Sequence, residues 1–156
     1  MQKQLAINDY QVLVDKLEST KQILYLADNA GETVFDRLLI DAIGRPVTYA
    51  VRENPIINDA TEEDAIASGL DEISEIVSSG CDAPGTLLGQ CSESFLNYFQ
   101  AADIIISKGQ GNCETLSNEK RPICYLLKVK SPVVARDLRV NEGAIVVKYS
   151  LSKDAL

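Results

Sequence analysis

Apolar positions along the chain alternate between two rhythms. Tyr10, Leu13, Val14 and Leu17 recur at spacings of three and four, which predicts an amphipathic helix over residues 8–20 with Asn8 as a possible N-cap. Gln22 to Ala27 is a short apolar run of strand length. The helical rhythm returns at Glu32, where Phe35, Leu38, Leu39 and Ala42 mark one face and Gly44 the stop. Pro46 to Val51 reads as a second strand, followed by a polar loop, Arg52 to Ala60, that carries an apolar plug. Thr61-Glu62-Glu63-Asp64 is a capped helix start, running to about Ser68 before Gly69. Glu72 to Val77 is a weaker third strand and Ser79 to Gly85 is rich in turn residues. Ser92 caps a helix faced by Phe95, Leu96, Phe99 and Ala102. Asp103 to Ser107, built on Ile104-Ile105-Ile106, has the composition of a fully buried strand. After the polar loop Lys108 to Asn112 come a short helix from about Cys113 to Asn118 and strands at Ile123–Val129 and Ala144–Tyr149.

Short apolar strands alternating with helices predict an α/β fold: a three-layer, Rossmann-like sandwich around a mainly parallel sheet of about six strands. Residues 1–156 read as a single domain, with 1–20 as a leading amphipathic helix packed on it. Ligands of such folds sit at the carboxyl ends of the strands, where strand order reverses. The polar loops after the first four predicted strands therefore share one edge of the sheet.

Composition narrows the chemistry. With 46% hydrophobic and 24% charged residues the chain is globular, and no apolar run approaches the roughly 20 residues of a membrane span. The start has no secretory h-region, which leads to the expectation of a cytoplasmic protein. A net charge of -8 without a basic stripe argues against nucleic acid as a partner. There is no histidine, which excludes Ser-His-Asp and Cys-His catalysis and any His-ligated metal. Cys81, Cys91, Cys113 and Cys124 form no C-x-x-C pair, so a zinc cage is not expected and free thiols are.

Carboxylates, amides and lysines must then carry the function. Asp28 and Asn29 stand where the first strand turns into a helix through Gly31, and both offer oxygen. Taken alone they are equally good turn and capping residues. Asp59 ends the second polar loop just before a helix, a position that also suits N-cap duty. Together Asp28, Asn29 and Asp59 make an all-oxygen set that suits a hard cation such as Mg²⁺ or Mn²⁺. In Lys108-Gly109-Gln110-Gly111-Asn112 two glycines let backbone N–H groups approach an anion, beside a lysine. This is neither a Walker A loop nor a dinucleotide fingerprint, and a plain turn is the competing reading. Lys130 follows the fifth strand at the same edge. Arg52 either faces the site or pairs with Glu53 or Asp28, and Asp82 belongs to a turn at the rim.

Four stretches in this order, Asp28-Asn29-Ala30-Gly31-Glu32 with Phe35 to Leu39, Val51 to Thr61, Ala102 to Asn112, and Leu127 to Lys130, resemble the metal-dependent damage-control phosphatases, formerly domain of unknown function 89. The resemblance spans about residues 20 to 148. It implies a divalent-metal phosphatase acting on small phosphorylated metabolites such as sugar phosphates, with Mn²⁺, Co²⁺, Ni²⁺ or Mg²⁺ at Asp28, Asn29 and Asp59. Lys108 to Asn112, including Gly109 and Gly111, and Lys130 would hold the phosphate, with Arg52 beside them. Asp28 and Lys108 would act on the reacting group, and Glu32 and Asn58 would stand just behind the ligands. Family members usually carry a further N-terminal helical segment, whereas this chain starts close to its first core strand. Cys113 stands where the family favours an aromatic residue, and Ser131 where it favours cysteine. The alternatives are a non-catalytic metabolite- or nucleotide-binding module and a structural subunit paired with a helical chain.

Overall fold

The computed structural model describes residues 4–151. Seven strands form one sheet: β1 (Ile7–Asn8), β2 (Ile23–Leu26), β3 (Val47–Val51), β4 (Glu75–Ser78), β5 (Ile104–Lys108), β6 (Pro122–Lys128) and β7 (Ile145–Leu151), in the spatial order β1-β7-β6-β5-β2-β3-β4. Strands β4, β3, β2, β5 and β6 are mutually parallel, and β7 runs antiparallel to β6. The strand beyond the expected six is β1, a two-residue piece paired with β7. It takes Asn8 out of the capping position, so α1 (Tyr10–Ser19) starts from Asp9. Two residues are too few to show an alternating pattern, so the sequence does not announce this strand.

Helices cover both faces. Leu13 of α1, Ile40 of α2 (Thr33–Ile43) and Ala65 of α3 (Glu62–Ala67) pack with Tyr25, Tyr49 and Ile106 on one side. Phe95 and Phe99 of α4 (Glu93–Ala101), Cys113 and Leu116 of α5 (Gln110–Leu116), and Val134 and Leu138 of α6 (Pro132–Leu138) pack with Leu24, Ile105 and Tyr125 on the other. The central strands are apolar on both sides because both sides are covered, and Ile104, Ile105 and Ile106 are essentially inaccessible to solvent. Caps follow the local chemistry. Thr61 and Asp64 close a capping box, Ser92 accepts from the Phe95 amide, and Gly44 ends α2 in the left-handed region. Helix α6, with Ser131 as N-cap and Pro132 in its first turn, is absent from the sequence reading.

The inward face of α2 differs from the expected one. Phe35 is 69% exposed and Leu38 64%, while Thr33, Asp36 and Ile40 are buried. The hydroxyls of Tyr25 and Tyr49, rising from β2 and β3, supply donors to Asp36 and draw the acid inward. Three apolar positions of the same helix, Val34, Phe35 and Leu38, are left facing out.

Candidate functional site

Consecutive connections leave β2 in opposite directions, toward β3 on one side and, later, with β5 on the other. The carboxyl ends of β2 and β5 therefore flank the switch point. Asp28 stands just past the end of β2. Its carbonyl accepts from the Ala60 amide at 2.8 Å, and the Ala30 amide donates to the Asn58 carbonyl at 2.8 Å. Asn29 and Asp59 form an antiparallel bridge between these contacts. The second polar loop, closed by Arg52 N–H to the Ala60 carbonyl at 2.9 Å, thus folds back onto the first. Asp28, Asn29 and Asp59 are brought together by backbone hydrogen bonds.

β5 closes the corner from the other side. Gly109 has φ 81°, and a Cβ there would collide with the Asp28 carboxylate. Glycine is required twice over, for the dihedral and for the approach. The Gly109 amide is already committed to the Leu126 carbonyl at 3.0 Å, so it is not an anion donor. Gly111 opens α5 against Gly85, another close backbone approach.

Burial pushes the Asp28 carboxyl up to about 6, helped by the negative charges of Glu32 and Asp59 and opposed by Lys130 and Lys108. Asn29 bonds nothing as the cap of the turn Ala30–Glu32. Asp59 gives one oxygen to Arg52 Nε at 2.8 Å. Arg52 itself is buried, and its other nitrogens reach Thr86 Oγ1 at 3.3 Å and Asn112 Oδ1 at 2.9 Å. Its partner is therefore Asp59, neither Glu53 nor Asp28, and it braces the loop. Asn112 is a strut as well. Its amide donates to the carbonyls of Ala27 and Lys108, and its oxygen accepts from Arg52 and Thr86. All four bonding positions of that side chain are spent within the protein. Asp59 does not cap α3, a task taken by Thr61. Asp82 accepts from Asn54, tying two loops together.

Lys108 Nζ lies 2.7 Å from Glu32 Oε2 and 2.7 Å from Asp36 Oδ1. Burial works to lower its pKa, but the two carboxylates outweigh this and hold it above the ordinary value. Glu32 thus contacts the lysine. Asn58 contributes its carbonyl to the Ala30 amide, and its side chain is exposed. The exposed Lys130 has its amide on Gln110 Oε1 at 2.7 Å, and its charge is felt at Asp28. Asp36, Tyr25, Tyr49 and Thr86 are not among the site residues expected from the sequence, although Asp36 falls inside the stretch Phe35 to Leu39 that carries the resemblance. An acid four residues after Glu32, in line with Thr33 and Ile40, is the signal that points to Asp36.

The chemistry of the donor set fits a hard divalent cation. Asp28 is a half-buried carboxylate surrounded by acids, Asn29 adds a neutral oxygen, and Asp59 retains one oxygen outside its ion pair. Among the described residues no three Asp, Glu, Cys or His side chains gather to hold a metal, so the set depends on the Asn29 amide. A hollow of about 1130 Å³ lies elsewhere, at the amino ends of β2 and β3, and contains none of these residues. Its Arg45 is spent on the carbonyls of Thr20 and Glu18, at 2.7 Å each. All four cysteines are free, and no described helix is long and apolar enough to cross a membrane.

A mainly parallel α/β sheet with an acidic corner and lysines at its switch point is the arrangement in which folds of this class place small-ligand sites. The model of the damage-control phosphatase ARMT1-like domain matches residues 1–146, and the chain belongs to that family. It is 43% identical over 152 residues to a damage-control phosphatase of Pyrococcus horikoshii, covering 94% of this chain and 53% of that protein. It is 40% identical over 153 residues to a damage-control phosphatase of Archaeoglobus fulgidus, covering 95% and 52%. A crystal structure of a DUF89 family protein from Pyrococcus horikoshii superposes with a TM-score of 0.90 at 43% identity, over 95% of this chain and 54% of that one. The chain spans about half the length of these relatives.

Proposed function

We propose that this domain hydrolyses phosphate monoesters of small metabolites, such as sugar phosphates, with a divalent ion, Mn²⁺, Co²⁺, Ni²⁺ or Mg²⁺, held by Asp28, Asn29 and Asp59. The observation that carries the reading is their convergence with Lys108 and Lys130 at the switch point between β2 and β5. When bound, such an ion polarises a phosphoryl oxygen and lowers the pKa of water. The chain's own contribution is electrostatic and positional. Lys130, exposed and near Asp28, attracts the phosphate dianion. Lys108 neutralises charge on the transferring group. Arg52 and Asn112 act from behind, keeping Asp59 and the start of α5 in register. Asp28 holds the ion and borders the reacting phosphoryl group. The relatives named damage-control phosphatases support this reaction class.

The dependence of the ligand set on one amide favours a second reading, a metabolite-binding module without turnover. Phosphate release from p-nitrophenyl phosphate and sugar phosphates, with Mn²⁺ or with chelator, separates the two. Under the phosphatase reading, Asp28→Ala costs at least about 100-fold in rate and chelation does the same. Equal rates in wild type and variant sink it.

A further inference from the structure

The two carboxylates on Lys108 are unlike each other. Asp36 is 1% exposed, and it also accepts from Tyr25 at 2.6 Å and Tyr49 at 2.8 Å. Its oxygens cannot turn away without stranding two buried hydroxyls. The Glu32 side chain is 42% exposed, stands on a short turn, and has Lys108 as its salt-bridge partner. One arm of this fork is fixed and the other is free to leave. Glu32 also lies close enough to act on the Asp28 carboxyl, so it is near both the lysine and the acidic corner.

We infer that Asp36 is the positioning residue of Lys108, and that Glu32 is an exchangeable anion occupying the place a phosphate takes on that lysine. The inference rests on the reading of Lys108 as a phosphate-binding group and deepens it. A dianionic phosphate displaces Glu32, whose carboxylate swings into solvent, while Asp36 and the two tyrosines keep Nζ at the mouth of the site. A ligand with less charge competes less well with the resident carboxylate. The fork thereby selects phosphate monoesters over diesters and carboxylates without any contact to the rest of the substrate.

Inorganic phosphate, titrated calorimetrically into the full chain, tests this apart from turnover. Glu32→Gln keeps the length and removes the competing charge, so phosphate binds at least threefold more tightly and the KM for p-nitrophenyl phosphate falls with it. Tyr49→Phe removes one hydrogen bond from Asp36 and weakens phosphate binding severalfold, as does Asp36→Asn where that variant folds. In a Lys108→Met background neither Glu32→Gln nor Tyr49→Phe shifts phosphate affinity beyond twofold, because both act through the lysine. Unchanged or weaker phosphate binding in Glu32→Gln overturns the exchange. A full Tyr49→Phe effect in the absence of Lys108 overturns the positioning role. Phosphate binding that follows these rules without any phosphate release leaves the inference standing and defeats the phosphatase reading.

Discussion

Asp28 and Asp36 lie on either side of one turn and belong to opposite environments. Asp36 is sealed beneath α2 with two tyrosine hydroxyls and a lysine on its oxygens. Asp28 is half-buried, has acids for neighbours, and is held near a pKa of about 6. A carboxylate whose protein partners satisfy it belongs to the architecture. A carboxylate that the fold desolvates and surrounds with like charge is held ready for something the protein does not itself supply. The pair gives a criterion for telling a scaffold acid from a site acid within a few residues of chain, and each side of it can be broken separately.

The largest effect is expected at the sealed acid. Asp36→Ala leaves Lys108 without its buried partner and two hydroxyls without an acceptor, and should cost about 3–5 kcal/mol of unfolding free energy in urea. A cost under about 1 kcal/mol would mean that Asp36 is not the compensated group the geometry describes. Next comes the joint between the two environments. Gly109→Ala puts a methyl group into the Asp28 carboxylate at a positive φ, and should cost about 1–3 kcal/mol while abolishing metal-dependent stabilisation.

The site acid should respond with the opposite sign. Its folded pKa lies above the ordinary carboxylate value of 3.8, so its contribution to stability is intact below about pH 4 and lost as pH rises through about 6. Asp28→Asn, uncharged throughout, should therefore stabilise the metal-free protein at pH 7.5 by about 1–2 kcal/mol after allowance for solvent screening, and by little at pH 4. Saturating Mn²⁺ should reverse the ranking, stabilising the wild type by about 2–3 kcal/mol at a hundredfold excess over Kd and the variant hardly at all. Thermal melts at the two pH values, with and without Mn²⁺, check both signs. Destabilisation of the metal-free variant at pH 7.5 would remove Asp28 from the class of strained site acids.

The two acids were unequally legible in the sequence. A parallel sheet puts the ends of its strands on one edge, so Asp28, Asn29, Asp59, Lys108 and Lys130 could be gathered from strand ends alone, before any contact was known. Pairings between those ends depend on strand order and side-chain direction, which composition does not encode. Arg52 therefore had two candidate partners, Glu53 and Asp28, and its carboxylate proved to be Asp59, with Asn112 sixty residues away as a second contact. Asp36 was hidden by a stronger signal. Phe35, Leu38 and Leu39 outweigh one acid in any hydrophobic count, yet two tyrosines on neighbouring strands turn the helix the other way. Tertiary hydrogen bonding overrode amphipathicity there, and β1 and α6 were too short to carry a periodic pattern.

Ser107 supplies the mildest test of the criterion. It sits in β5 next to Lys108, wholly buried, and its hydroxyl has no hydrogen-bond partner among the described residues. Unlike Asp28 it is a neutral group and carries no charge. If desolvation without a partner marks a site only where charge is gathered, Ser107 is a small local cost with no role. Ser107→Ala should then raise stability by about 0.5–1 kcal/mol, because the unpaired hydroxyl is removed and little volume is lost. Phosphate affinity and Mn²⁺ stabilisation should stay within twofold of wild type. Loss of either one with the fold intact would place Ser107 in the site and show that an unpaired neutral group, as well as a crowded charge, marks a functional position in this sheet.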